Sequence, residues 1–86
     1  MTVWIVKNFE DQIVDVFKNV DSAVNYLMSE VERWHDEFPE DIDKSLLMGM
    51  RELILNEYVN ESRVIHAGFP DDENFYLRAI QFDVKE

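Results

Sequence analysis

Proton exchange at neutral pH falls to histidine, and this sequence has two, His35 and His66. Neither stands in a pattern that completes a site. His35 lies beside Asp36 and one turn ahead of Pro39, a setting that favours a charged surface role at a helix end over catalysis. His66, just before Gly68, is placed to orient a loop by hydrogen bonding. Cysteine is absent, which removes thiolate nucleophiles, disulfides and cysteine-ligated metals. Ser22, Ser29, Ser45 and Ser62 remain as nucleophiles, and none occupies a Gly-x-Ser-x-Gly turn. Two glycines, Gly49 and Gly68, cannot build a phosphate-cradling loop or a dinucleotide fingerprint. The expectation is a protein that is not an enzyme, with no catalytic residues and no cofactor.

Carboxylates are the abundant group. Asp71-Asp72-Glu73-Asn74 is rich enough in oxygen to hold calcium but lacks the spaced Asp-x-Asp-x-Asp-Gly pattern, so a solvated turn is the favoured reading and no metal ligand is assigned. The distribution of charge says more. Nineteen acidic and eight basic residues give a net charge of −11, and residues 21–43 alone hold eight acids against one base. Residues 44–66 balance. Carboxylates spaced along a rigid helix can imitate a row of phosphates and be steered to a basic groove. Glu30, Asp36, Glu37, Glu40, Asp41 and Asp43 are therefore the candidate partner-binding residues, the partner being a basic protein that handles nucleic acid. The alternative is that the acids merely keep the chain soluble while a strand edge or the Met48–Met50 region forms a homodimer. Under either reading the charge disfavours direct contact with nucleic acid or an anionic membrane. Trp34 belongs to a core stripe, although partial exposure near the helix end would let it anchor a partner.

These side chains need elements to hold them. Val3 to Val6 is a continuous, largely β-branched run, which suggests a strand covered on both faces. Asn8 to Gln12 reads as a turn and Ile13 to Phe17 as a second strand, with Asp15 exposed and Val14 and Val16 on the other side. Asn19 is a good N-cap, and Ala23, Leu27, Val31, Trp34 and Phe38 recur at helical spacing on one stripe until Pro39 ends the helix. Asp43 caps a second helix whose Leu46, Leu47, Met50, Leu53 and Ile54 face inward. Gly49 marks close packing against the first helix, and the end frays between Asn56 and Asn60. Arg63 to His66 is a short strand, Ala67 to Asn74 a loop, and Phe75 to Val84 a strand with Ile80, Phe82 and Val84 on the buried face.

Val3-Trp4-Ile5-Val6, then Ile13-Val14-Asp15-Val16-Phe17, then Asn19 with Ala23, Tyr26 and Leu27 resemble small uncharacterised proteins of bacteria and their phages, in which a hairpin feeds a helix and a late strand closes the sheet. The resemblance covers about the first 30 residues and the last strand, and it implies a phage or mobile-element origin with no catalytic residues to carry over. Residues 39–60 depart from it by inserting a second helix. Eighty-six residues at 47% apolar make one domain with one core. The opening apolar stretch is too short for a signal peptide or a spanning helix, so a cytoplasmic location is expected. The expected fold is α+β: a mostly antiparallel four-stranded sheet with two helices on one face, in the order ββααββ.

Overall fold

β-Branched runs pair where turns return them. In the computed structural model, which describes residues 1–85, β1 (Thr2–Asn8) and β2 (Ile13–Phe17) form an antiparallel hairpin. The Asn8 side chain closes its turn by accepting from the Glu10 and Gln12 amides, both at 3.0 Å, while Asp11 takes a left-handed conformation. Two helices follow, α1 (Val20–Glu37) and α2 (Lys44–Val59), then β3 (Val64–Gly68) and β4 (Tyr76–Asp83). The sheet order is β2-β1-β4-β3 with every pairing antiparallel, so the first and last strands form its centre. The architecture is the α+β one expected from the order of elements. No helix among the described residues is long and apolar enough to cross a membrane.

Both helices start where their caps place them. Asn19 accepts from the Ser22 amide at 2.9 Å and Asp43 from the Leu46 amide at 2.8 Å. Ala23, Val24, Leu27, Val31 and Trp34 bury one face of α1 against Trp4, Val6, Ile65, Leu77 and Ala79 of the sheet. Phe38 ends α1 by donating its amide to the Trp34 carbonyl at 2.8 Å, and Pro39 prevents continuation. The connection then dips inward. Ile42 is fully buried, held by a 2.8 Å bond from His35 Nδ1 to its carbonyl, so His35 is a strut for the loop. Two contacts tie the helices together: Arg51 with Glu32 at 3.0 Å, and the Tyr58 hydroxyl donating to Asp21.

The helices cover only one face of the sheet, and several expectations change for that reason. On β4 the buried set is Leu77 and Ala79, while Phe82 and Val84 are exposed and Ile80 is half-buried on the open face. On β1, Trp4 and Val6 are buried but Val3 and Ile5 lie on the open face. Val14 and Val16 are exposed, and Asp15 pairs with Val6 on the helix side. Helix α2 lies over the β3 edge and α1, so it buries only Met50 and Ile54 and leaves Leu46 and Leu53 exposed. Met48 and Met50 sit on opposite sides of α2, one exposed and one buried. A Cβ at Gly49 would meet no atom within 4 Å, which rules out close packing there. Phe38 lies outside the core stripe and is half-exposed, whereas Trp34 is buried rather than partly exposed at the helix end. β3 runs on to Gly68, two residues into the stretch read as loop.

Candidate functional site

The register decides where the charged loops meet. Asn8 pairs with Leu77 and Gly68 with Tyr76, so the β1–β2 turn and the β3–β4 loop leave the sheet at the same end. Helix α1 points its C-terminus there, since Trp34 and Phe38 both pack edge-on against Phe75 at centroid distances of 5.8 and 5.4 Å. Glu10 and Asp11, then Asp36, Glu37, Glu40 and Asp41, then Asp71, Asp72 and Glu73 are thus gathered from three chain segments. Gathering by topology leaves no trace in local spacing, which is why the contributions of Glu10, Asp11 and residues 71–73 escape a linear reading.

The candidate residues fall into three settings. Glu30 and Glu37 flank Arg33 on one side of α1, and the hydrogen bond from Arg33 to Glu30, reinforced by both carboxylate charges, holds the guanidinium more firmly protonated than usual. Glu30 stands about 10 Å back along the helix from Glu37, at the margin of the acidic end. Asp43 spends its carboxylate on the α2 cap. Asp36, Glu40 and Asp41 are exposed and make no ion pair among the described residues. They surround the C-terminus of α1, where the helix dipole already carries partial negative charge, and a carboxylate there costs about 0.3–1 kcal/mol.

Two aromatic notches open among these carboxylates. One, of about 430 Å³, is floored by Trp34, Phe38 and Phe75 and rimmed by Glu37 and Asp41, with Arg33 at its mouth. The other, of about 510 Å³, lies between Phe9, Phe69 and Asp71 to Glu73. An aromatic face beside a carboxylate suits a guanidinium or ammonium group, which gains from the ring quadrupole and the charge together. Metal chelation is a different demand: among the described residues no three acidic or histidine side chains converge, and Asp72 instead accepts the Asn74 amide at 2.8 Å. His66 stands apart on β3, where Glu57 takes its ring at 3.0 Å and its amide at 3.2 Å.

Comparison with known proteins finds no matching family model, no similar curated protein and no matching solved structure.

Proposed function

We propose that this protein is a non-enzymatic interaction module whose acidic end binds the basic surface of a nucleic-acid-handling protein by charge mimicry. Its anchors are arginine or lysine side chains seated in the aromatic notches. The observation that carries the reading is the placement of Asp36, Glu37, Glu40 and Asp41 around a helix C-terminus beside exposed Phe38. Those charges oppose the helix dipole and so work against folding, whereas a cationic partner would be attracted to every one of them. Glu30 and Asp43 extend the surface at its margins.

The test is affinity capture from bacterial lysate with the full chain, elution by a salt gradient, and displacement by duplex DNA. The expected result is a basic protein released at moderate salt and competed off by the duplex. A Glu37→Gln, Asp41→Asn, Phe38→Ala triple variant should weaken its affinity at least tenfold. Undiminished capture by that variant would overturn the reading. Arg33→Gln supplies a second arm, because freeing Glu30 and Glu37 from their internal counterion should tighten binding.

A further inference from the structure

At the end of the molecule opposite the acidic one, the helices leave a gap over the sheet. Helix α1 begins there at Val20 and α2 stops there at Val59, while β1 and β4 run past beneath them. Trp4 and Gln81 stand opposite each other on the face that carries Leu77 and Ala79, so the buried row of β4 ends in a polar side chain where an apolar one would close the core. A slot of about 560 Å³ results, floored by Trp4, Ile65 and Gln81 and walled by Val20 on one side and by Val59, Glu61 and Ser62 on the other. Sites for small molecules span about 300–1,000 Å³. The Tyr58 hydroxyl, donating to Asp21, fastens the two helix ends beside it.

The polar groups of the slot are unspent. Among the described residues neither the Gln81 carboxamide nor the Ser62 hydroxyl makes a hydrogen bond, and Glu61 makes no ion pair. Trp4 is only 6% exposed, yet its indole N–H has no acceptor within the protein and is not sealed from solvent. A buried indole ordinarily finds a partner, and the cavity that Trp4 lines is where this one can meet it. Glu61 has φ 55° at the position after the α2 cap, where glycine is usual, and the Ser62 amide closes that turn on the Glu57 carbonyl at 3.0 Å. A carboxylate is thus kept at the rim at a cost to the backbone.

We propose that this slot binds an uncharged aminopurine, the adenine base free or as adenosine. Charge narrows the choice first: a chain of net charge −11, with Glu61 at the rim, repels anions, and a cation gains more at the acidic end. Hydrogen bonding then selects among neutral ligands. A glutamine carboxamide matches the adenine edge bidentately, its oxygen accepting from the exocyclic amine and its nitrogen donating to N7. The second hydrogen of that amine suits Glu61, and the remaining ring nitrogens are acceptors for the Trp4 N–H and the Ser62 hydroxyl. Val20, Val59 and Ile65 cover the faces of the purine. The site owes nothing to the acidic end and stands whether or not that end binds a basic protein.

Titration of the nitrogen-15-labelled full chain with adenosine to about 5 mM, beyond the range of weak specific binding, tests the proposal. The expected result is a saturable shift of the Trp4 indole N–H resonance, with that of Trp34, at the other end of the molecule, unmoved. Inosine, which presents an oxygen in place of the amine, should bind about tenfold more weakly, and Gln81→Leu should weaken adenosine by a similar factor with an unchanged circular dichroism spectrum. AMP should bind more weakly than adenosine at low salt and approach it as sodium chloride rises. Glu61→Gly should weaken adenosine while melting no lower than the wild type, because glycine accepts the left-handed turn freely. An unmoved Trp4 resonance, inosine binding as tightly as adenosine, or an affinity indifferent to Gln81→Leu would each overturn the proposal.

Discussion

Gly68 shows how much a single backbone position controls. Its φ of +90° lies in the left-handed region, and a Cβ there would stand 1.9 Å from the Phe75 carbonyl oxygen and 3.1 Å from the Trp34 ring. Gly68→Ala should therefore cost more than about 3 kcal/mol, read from the urea midpoint, because strained backbone and a clash with main chain add together. Phe75 would shift with it, and the aromatic notch would lose its floor. Gly49 makes the opposite case: in an open helical position, Gly49→Ala should stabilise by about 1 kcal/mol in the same assay. From sequence the two glycines look alike as breakers, because the difference lies in φ and in neighbours far along the chain. Tyr58 is a third controlling position. Its hydrogen bond to Asp21, with the charge of that carboxylate, raises the phenol pKa. A raised pKa means that the link contributes while the phenol is protonated and is lost as pH rises through the folded-state value. Tyr58→Phe should accordingly melt below the wild type at pH 7, and the gap should close in alkaline buffer.

Among the elements, the caps and the period of α1 were legible because Asn19, Asp43 and the Ala23–Leu27–Val31–Trp34 stripe act locally. The face of β4 was not. Phe75, Leu77 and Ala79 alternate with Ile80, Phe82 and Val84 in opposite phase, so each parity is apolar over part of the strand and only the position of the helices selects one. Helix α2 misled for a related cause: its apolar residues surround the axis, and β3 and α1 cover only the side bearing Met50 and Ile54. Ile42 gave no periodic signal, being a single apolar residue in an acidic turn, yet it is fully buried. Ile42→Ala should cost about 2–5 kcal/mol by thermal or urea unfolding, the range for a core deletion, and should loosen the loop that presents Glu40 and Asp41.

At the scale of the whole molecule, negative charge gathers at one end, where the β1–β2 turn, the C-terminus of α1 and the β3–β4 loop meet. The clustering of residues 21–43 was visible in the chain, but its union with the β1–β2 turn and the β3–β4 loop depends on strand register, which no local pattern encodes. Repulsion within that end should make stability rise with sodium chloride. Asp36→Asn, Glu40→Gln and Asp41→Asn together should raise the melting temperature at low salt and flatten its salt dependence, measured by scanning calorimetry. The central pairing of β1 with β4 reaches further. Val3 meets Phe82 and Ile5 meets Ile80, so the middle of the sheet closes a loop of nearly the whole chain. Loop-closure entropy of that size must be overcome before these contacts form, which places the molecule among slow folders for its length. On the ribosome, the hairpin of β1 and β2 and both helices emerge with their apolar faces unmatched until β4 follows. A chain cut before Tyr76 would lose the strand that joins β1 to β3, and with it any reason for the two halves of the sheet to meet.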